Sequence, residues 1–543
     1  MSEFFRRKLT SIELASAILF TVAAILLQWV FLQHAGGLWR DEICVVNIAT
    51  QPTLGQVWEA MPHDHCPMLF LLLVRGWVAA GLGNTDAELR VLGLVCGLVL
   101  LATFWLASRT LGKGLPLISL ALAGLNFTVI RYGDSIRAYG LATALIVFNM
   151  SLIWCFVEAP NWRRWLLANL FAVLSVQTLY QNAFLLLAIC LAGAVVCVRR
   201  RQPRCALGVL SIGMVAAISL LPYINPLRHA QSWWLLSKAG IDFNIFLNRI
   251  SEVTGMLIGV WAVLILLAAL LGIGRALIKT VPDEMPAQPD LLLFASLALV
   301  MGLAGFGFFI KLTGLPTEPW YYIPALIFAA VCCDAILPRL HRNARGGVLV
   351  MAVGIAVYAG SSAYSSLQLR QTNGDLIAAQ VAQQAKPDDL IIVHPWYYGI
   401  TFARNYRGTA PWTTLPPLAD YRFHRYDLLK SKIQMADPTR PVFEQMETRL
   451  RSGHRVWIVG AIEVPRPNHS APGNLPPAPN GPQGWYDEPY TQVWGARLGA
   501  FLAHHAVTFI PVGDSSANSV NPMENMTLLE ASGWRTSAAT NSP

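Results

Sequence analysis

Residues 11–31 read SIELASAILFTVAAILLQWVF, and the segment Trp39-Arg40-Asp41-Glu42-Ile43-Cys44 follows a few residues later. The first run carries one acidic residue and is long enough to cross the roughly 30 Å hydrocarbon core of a bilayer as a helix. The second segment places two adjacent carboxylates, Asp41 and Glu42, where that helix meets water. A solvated helix end would explain them, but carboxylates at a membrane edge are also candidates for function.

The composition predicts a membrane protein. The chain of 543 residues is 55% hydrophobic and only 13% charged, with a mean hydropathy of +0.47. Repeated apolar runs of about 20 residues indicate a polytopic α-helical protein, and we interpret the first run as a retained helix because it lacks a cleavage site. We attribute the net charge of +9 to cytoplasmic loops, which excludes nucleic acid as a partner.

About eleven transmembrane helices are predicted from the apolar windows. They lie at 11–31, 88–108, 115–131, 139–158, 165–179, 183–198, 206–223, 253–276, 290–312, 320–337 and 347–366. The window 67–83 is short and carries Arg75 at its middle. Counting it as a span would put clusters such as Arg199-Arg200-Arg201 outside, so the positive-inside rule favours an interfacial or re-entrant segment. The amino terminus is then cytoplasmic and the carboxyl terminus is outside.

This topology decides which side chains can share a site. With 67–83 as a span, Asp41 and Arg137 would lie on opposite sides of the membrane. Without it, one group of polar and aromatic residues shares the non-cytoplasmic face, namely Asp41, Glu42, His63, His65, Arg131, Asp134, Arg137, Tyr139, Lys311 and Tyr321.

The domain organisation follows from a change in the hydrophobic pattern after the last apolar window, where long apolar runs give way to amphipathic and short β-rich segments. We expect a transmembrane domain over 1–366, with a periplasmic catalytic loop at 31–87, and a soluble periplasmic α/β domain over 367–543. In the second region, 375–386 has the pattern of an amphipathic helix. The runs Leu390-Ile391-Ile392-Val393 and Arg455-Val456-Trp457-Ile458-Val459 predict strands.

The loop 31–87 carries a helix-start signal. Thr53-Leu54-Gly55-Gln56 has the pattern of a capping box, in which Thr and Gln satisfy backbone N–H groups reciprocally. Apolar residues then recur at helical spacing, at Leu54, Val57, Trp58 and Met61. A short amphipathic helix on the membrane surface fits this pattern, and a helix packed on another domain is the alternative.

The segment His63-Asp64-His65-Cys66-Pro67 follows in the same loop. Together with Asp41 and Glu42, His63 offers ligands for a divalent cation such as Mg²⁺ or Mn²⁺. The spacing is not diagnostic of a metal site, however. We favour His65 as a hydrogen-bond donor to a lipid phosphate and assign His63 to the substrate cavity.

Further candidates lie near the ends of later spans. Arg137 directly precedes a span, and its planar guanidinium suits phosphate oxygens, whereas Arg131 is expected to reach lipid headgroups. Lys311 is a second phosphate candidate. Tyr139 and Tyr321 are assigned to the substrate cavity, although an interfacial aromatic belt would explain Tyr321 without function.

The cysteines suggest one covalent link. Of the nine cysteines, this topology leaves Cys44 and Cys66 on the oxidising side of the membrane, both in the loop 31–87. We expect a disulfide between them that holds the loop.

The order of these motifs resembles the GT-C superfamily of membrane glycosyltransferases. It particularly resembles the bacterial branch related to protein O-mannosyltransferases and the lipid A aminoarabinose transferase, which is similar to glycosyltransferase family 39. The matching features are Asp41-Glu42, His65-Cys66-Pro67-Met68-Leu69, the segment 83–90 and Arg137-Ala138-Tyr139, and they cover about residues 10–330. Cys66 replaces the usual first proline of a family pair, and Trp320-Tyr321 replaces a common Arg-Tyr pair.

The resemblance implies a polyprenyl-phosphate sugar donor and transfer on the periplasmic side of a bacterial inner membrane. Asp41 would act as the general base on an acceptor hydroxyl, and Glu42 would orient the acceptor or bind a cation. Arg137, with His65 and Lys311, would stabilise the leaving phosphate. A single displacement would invert the anomeric configuration. The acceptor class stays open between lipid, polysaccharide and protein.

Two other functions compete with this one. A transporter or flippase for lipid-linked sugars would also need many spans, but such proteins usually show repeated halves and polar mid-membrane helices. Here the charges collect at the span ends and no internal repeat is visible. A non-catalytic partner with a lipid-binding cavity is the third interpretation.

Overall fold

A computed structural model describes residues 3–64, 66–231, 243–277, 288–313, 317–340, 344–462, 474–475, 487–513 and 519–535. The chain forms two compact units. The first consists of Met1–Gln33, His65–Asn225 and Gly240–Gln368, and the second consists of His34–Asp64, Pro226–Ala239 and Leu369–Pro543. Residues 34–64 of the long first loop therefore belong to the same unit as the carboxyl-terminal part of the chain.

The first unit is built from helices. The α-helices are Glu3–His34, Met68–Ala79, Asp86–Thr110, Leu117–Ser119, Phe127–Gly133, Tyr139–Glu158, Trp162–Val176, Asn182–Arg199, Pro203–Ser219, Phe243–Thr254, Ile258–Leu277, Pro289–Thr313, Ile323–Ile336 and Ala344–Leu367. A further α-helix, Ile224–Gln231, begins in this unit and continues into the second. A π-helical turn, Leu120–Gly124, and the short 3-10 helices Leu221–Tyr223, Gly255–Leu257, Pro319–Tyr322 and Leu337–Arg339 complete it.

Nine helical segments of the described residues are long and apolar enough to cross a membrane. They are Lys8–His34, Asp86–Thr110, Tyr139–Glu158, Asn182–Arg199, Pro203–Ala230, Phe243–Leu277, Pro289–Thr313, Pro319–Arg339 and Ala344–Leu367. Each coincides with one of the predicted spans, so the prediction of a polytopic helical membrane protein is confirmed.

The ambiguous window 67–83 contains the helix Met68–Ala79, which has 12 residues. At 1.5 Å per residue this helix is about 18 Å long, well short of the roughly 30 Å hydrocarbon core. The structure thus agrees with its interpretation as a segment that does not span the membrane.

Two predicted windows contain shorter elements than expected. The window 165–179 corresponds to Trp162–Val176, a helix of 15 residues. The window 115–131 is broken by the π-helical turn Leu120–Gly124 and restarts at Phe127–Gly133. The Asn126 side chain caps the restart, because its carbonyl oxygen accepts hydrogen bonds from the next helix's first backbone N–H groups.

Asp334, in the helix Ile323–Ile336, stabilises the start of this broken segment. Its carboxylate accepts hydrogen bonds from the backbone N–H groups of Ile118 at 2.8 Å and Ser119 at 2.9 Å. The Ser119 hydroxyl donates a third, at 2.6 Å. A buried carboxylate is tolerated here because these donors replace the water it has lost.

Two helices of the first unit approach neighbouring backbone so closely that they require glycine. A Cβ atom on Gly140 would lie 2.1 Å from the carbonyl oxygen of Gly133. A Cβ atom on Gly93 would lie 1.9 Å from the carbonyl oxygen of Asp134. Both contacts fix the segment that carries Arg137.

We therefore predict that Gly140→Ala destabilises the protein by at least about 1–3 kcal/mol, because backbone has to move to admit the methyl group. Gly354→Ala is the matched control, since a Cβ atom there meets nothing within 4 Å. Thermal unfolding of both variants in detergent checks this. Equal melting temperatures for the two variants would contradict the close approach.

The second unit combines helices with a mixed sheet. Its α-helices are Arg40–Ala49, Leu54–Ala60, Gly374–Gln384, Tyr398–Asn405, Tyr426–Ile433, Arg440–Arg451 and Glu488–His505, with 3-10 helices Met61–His63 and Pro522–Glu524. The strands are β1 (Leu390–His394), β2 (Trp412–Thr414), β3 (Val456–Gly460), β4 (Ala506–Pro511) and β5 (Thr527–Trp534). The predicted strands and amphipathic helix of this region are confirmed.

The sheet has the order β2-β1-β3-β5-β4. β1 pairs in parallel with β2 and β3, whereas β5 is antiparallel to both β3 and β4. Alternate residues of β1 enter different cores: Leu390 and Ile392 pack with Trp494 and Leu498, and Ile391 and Val393 pack with Ile377 and Phe402. Helices thus cover both faces, which explains why these strands read as unbroken apolar runs.

Candidate functional site

The helix Arg40–Ala49 begins at the acidic pair, and its start is capped by Glu42. Trp39 is the N-cap residue, with an extended backbone at φ −87° and ψ 167°. The Glu42 carboxylate accepts a hydrogen bond from the Trp39 backbone N–H at 3.3 Å. Glu42 is fully buried, so the structure places this carboxylate at the helix start, where its charge also complements the helix dipole.

Arg40 ties the same helix start to the carboxyl-terminal part of the chain. Its backbone N–H and its Nη1 atom both donate to Oε2 of Glu524, each at 3.2 Å. Nη1 also donates to the Met523 carbonyl at 3.0 Å. The Thr372 and Thr401 hydroxyls donate to the other oxygen, Oε1, at 2.9 and 2.7 Å.

Glu524 is completely buried, and its four hydrogen bonds replace the water that it has lost. Burial raises the pKa of Glu524, and Arg40 and the two hydroxyls act in the opposite direction. Burial alone would lower the pKa of Arg40, but Asp41 and Glu524 outweigh it and the net shift is upward. The guanidinium therefore stays charged.

Aromatic rings surround the Arg40 guanidinium. Its Cζ atom lies 4.7 Å from the ring centroid of Tyr397, 5.2 Å from that of Trp39 and 6.0 Å from that of Tyr398. Such cation–π contacts stabilise a charge that water no longer reaches freely. Arg40 is thereby fixed in position, and the backbone of Asp41 with it.

Asp41 is the partly exposed member of the acidic pair. Its side chain is 15% exposed, and Oδ1 lies 3.2 Å from Nε2 of His424 and 3.6 Å from Nε of Arg40. His424 itself is 12% exposed. The carboxylate thus has one imidazole and one guanidinium beside it, and still reaches the surface of the second unit.

His424 is a residue that the sequence analysis missed. It lies in the run Tyr421-Arg422-Phe423-His424-Arg425-Tyr426, in which aromatic and basic residues alternate. This run of aromatic and basic residues is the sequence signal that could have pointed to His424, but it lies far from the predicted loop 31–87. Its ring stacks on Tyr426 with centroids 5.9 Å apart and meets Trp396 edge-on at 6.5 Å.

His63 lies beside the same run. Its ring stacks on Phe423, with centroids 5.6 Å apart and an interplanar angle of 11°. Burial lowers the pKa of His63 to about 4, with Arg425 acting in the same direction and Asp427 against it. His63 is therefore neutral at pH 7. The side-chain amide of Asn47 donates to the Arg422 carbonyl at 2.8 Å and joins the two segments.

The predicted disulfide between Cys44 and Cys66 is wrong, because neither sulfur forms a disulfide in the structure. The Cys44 thiol instead donates to the His63 carbonyl oxygen, with a sulfur–oxygen distance of 3.8 Å. The predicted capping box at Thr53 is confirmed. The Gln56 backbone N–H donates to the Thr53 hydroxyl, and the Thr53 backbone N–H donates to the Gln56 side-chain oxygen. These contacts help to hold the loop.

The remaining predicted residues lie in the first unit. The rings of Tyr139 and Tyr321 come together, with centroids 6.1 Å apart. Arg137 is buried, with its Cζ atom 5.9 Å from the Tyr139 ring centroid, so the structure groups these three. Lys311 is exposed in the last turn of Pro289–Thr313. His65 lies outside the described residues.

Arg131 differs from its prediction. It was expected to reach lipid headgroups, but it is only 6% exposed and donates a hydrogen bond to the carbonyl oxygen of Ser366. Because that carbonyl lies in the last turn of Ala344–Leu367, Arg131 caps a helix end.

Among the described residues, the suggested cation ligands Asp41, Glu42 and His63 are not grouped as a metal site. No group of three metal-ligating side chains occurs anywhere in the described part of the chain. Glu42 caps its own helix, Asp41 contacts His424 and Arg40, and His63 stacks on Phe423. We therefore derive no step through a metal ion.

Comparison with solved structures identifies the architecture. ArnT from Cupriavidus metallidurans bound to undecaprenyl phosphate superposes with a TM-score of 0.51 at 13% sequence identity, over 81% of this chain and 92% of that one. Its apo state gives the same TM-score and coverage at 14% identity. The chain has the GT-C membrane fold.

Other comparisons add little to this GT-C assignment. The oligosaccharyltransferase of Archaeoglobus fulgidus in complex with Zn and sulfate gives a TM-score of 0.48 at 12% identity, over 82% of this chain and 67% of that one. No protein-family model and no curated protein sequence matches the chain. The likeness therefore concerns the GT-C fold, and the site has to be argued from its own residues.

We predict that Glu524→Gln destabilises the second unit by about 3–5 kcal/mol, because it leaves the Arg40 charge without its buried partner. Glu444→Gln is the control, since Glu444 pairs with Arg440 at the exposed surface and should change little. Denaturant unfolding followed by tryptophan fluorescence compares the two. Equal shifts would contradict a structural role for the buried pair.

The lowered pKa of His63 predicts a pH effect on stability. Its usual pKa is 6.5 and its pKa in the folded protein is about 4, so the unfolded chain binds more protons between these values. The contribution of the neutral His63 ring to the free energy of unfolding is therefore complete above pH 6.5 and is lost as the pH falls towards 4. Melting temperatures at pH 7.5 and 5 should differ less in His63→Gln than in the wild type. Replacing the exposed His504 by Gln should leave that difference unchanged.

Proposed function

We propose that this protein is an integral membrane glycosyltransferase that moves a sugar from a polyprenyl-phosphate donor to an acceptor hydroxyl. The observation that carries the proposal is Asp41, a partly exposed carboxylate fixed by a buried ion pair beside it, in a chain with the GT-C fold. The structural neighbour ArnT is bound to undecaprenyl phosphate, which supports a donor of this class. The activity would take place on the periplasmic side of a bacterial inner membrane.

In the proposed reaction, Asp41 acts as the general base. The acceptor hydroxyl loses its proton to the Asp41 carboxylate while its oxygen forms a bond to the anomeric carbon. The bond from that carbon to the phosphate oxygen breaks, and its electron pair leaves with the polyprenyl phosphate. One displacement inverts the anomeric configuration, and no second carboxylate is needed as a nucleophile.

The leaving phosphate needs fixed positive or hydrogen-bonding groups. We assign Arg137 as the first of these, because its planar guanidinium suits phosphate oxygens and Tyr139 packs beside it. His65 and Lys311 are proposed as further phosphate contacts. Tyr139, Tyr321 and His63 are proposed to line the substrate cavity, and the acceptor is a lipid, a polysaccharide or a protein.

We predict that Asp41→Asn lowers turnover by about 10²–10⁴-fold, the usual range for losing a general base. Arg137→Ala should lower it by about 10²–10³-fold, as for the loss of a transition-state donor. The measurement uses purified protein in nanodiscs with a panel of undecaprenyl-phosphate sugars, and mass spectrometry follows the release of lipid phosphate. Asp388→Asn is the control, because Asp388 is an exposed carboxylate elsewhere in the second unit.

The outcomes separate the competing functions. Transfer that disappears in Asp41→Asn while donor binding persists supports the transferase and identifies the sugar. Turnover that is unchanged in Asp41→Asn would remove Asp41 as the base. Turnover of no donor, together with movement of lipid-linked sugar between leaflets, would establish the flippase instead.

A further inference from the structure

Asp41 and His424 form a pair between two segments of the second unit that are far apart in the sequence. Oδ1 of Asp41 lies 3.2 Å from Nε2 of His424, which is hydrogen-bond distance. Both side chains are largely buried but reach the surface, at 15% and 12% exposure. The carboxylate of the amino-terminal loop thus meets an imidazole from the run 421–426.

The two ring nitrogens of His424 have different surroundings. Nδ1 is buried and has no hydrogen-bond partner among the described residues. A hydrogen on Nδ1 would be buried without an acceptor, which is costly. A hydrogen on Nε2 avoids this cost and is donated to Asp41.

The ring of His424 is also held in place. It stacks on Tyr426 and meets Trp396 edge-on, and the Trp396 Nε1 atom donates to Asp487 at 3.2 Å. The backbone around it is fixed by Asp420, whose carboxylate accepts hydrogen bonds from both Arg422 and Arg425. A ring constrained in this way presents Nε2 in one direction only.

Several charged groups face this pair. Arg40 lies 3.6 Å from Asp41, but its charge is shared with the buried Glu524 carboxylate. Asp487 is near enough to His424 to interact electrostatically, and burial raises the pKa of Asp487 to about 6. Other charged neighbours among the described residues form their own pairs, namely Arg422 and Arg425 with Asp420 and Arg425 with Asp427. Two titratable rings are stacked, His63 on Phe423 and Tyr426 on His424.

We propose that His424 is a positioning residue for the base, and that its Nε2–H orients the Asp41 carboxylate and stabilises its ionised form. This inference rests on the proposed glycosyltransferase function. During transfer the acceptor proton goes to Asp41, and His424 keeps its own proton throughout.

The test compares His424→Leu with His424→Gln. Leu removes the donor, and we expect kcat to fall about 10- to 100-fold with an unchanged KM for the donor lipid. Without the hydrogen bond the Asp41 carboxylate is harder to ionise, so the acidic limb of the pH–rate profile moves to higher pH. Gln supplies an N–H in place of Nε2–H and should restore most of kcat. His504→Leu, an exposed histidine replacement, should have no effect.

Two results would overturn the proposal. Equal losses in His424→Gln and His424→Leu would mean that the imidazole itself exchanges protons, and wild-type turnover in His424→Leu would mean that it does not act on Asp41. Melting temperatures establish that each variant is folded. In an Asp41→Asn background, His424→Leu should cause no further loss of turnover, because the two residues act as one unit.

A measurement without turnover separates this inference from the proposed function. Solid-state ¹⁵N NMR of histidine-labelled protein, with His424 assigned by the signal missing in His424→Gln, reports which ring nitrogen carries the hydrogen. We expect a hydrogen on Nε2. A ring with its hydrogen on Nδ1 and none on Nε2 would overturn the inference even if the enzyme is active. A hydrogen on Nε2 in a protein that turns over no donor would leave the geometry intact and refute the proposed function.

Discussion

The buried ion pair between Arg40 and Glu524 is the interaction on which the site of the second unit depends. Glu524 accepts hydrogen bonds from Thr372 and Thr401 as well as from Arg40, so it joins three separate parts of the chain. A buried charge pair gives little net stability by itself, but it strongly disfavours any arrangement that separates the two charges. Because Arg40 directly precedes Asp41, this constraint determines where the candidate base lies.

The same pair also affects the chemistry of Asp41. An isolated arginine at 3.6 Å would hold the carboxylate strongly in its ionised form, which would weaken it as a proton acceptor. Here Glu524 shares the charge of Arg40, and Asp41 also contacts the imidazole of His424. Asp41 is thus held in position by a charged neighbour whose charge is partly balanced, which suits a general base.

Much of the fold could be predicted from local patterns. The apolar windows, the capping box at Thr53 and the strands around Leu390 and Val456 all depend on neighbouring residues, and the structure confirms them. The broken window 115–131 could not be predicted, because the restart at Asn126 is stabilised by a residue far away in sequence: the Asn126 side-chain nitrogen donates to the Val253 carbonyl oxygen at 2.7 Å.

The sequence alone determined that the chain is a polytopic membrane protein with an appended α/β region, because hydrophobic length and periodicity are local properties. It also singled out Asp41, since two carboxylates at the end of an apolar run stand out without any structure. Only the tertiary structure decided what each carboxylate does: Glu42 is buried as a helix cap, whereas Asp41 faces His424. The Glu42 cap is a local contact with Trp39, but the partner of Asp41 comes from a residue nearly four hundred positions later in the chain, and no local pattern encodes that contact.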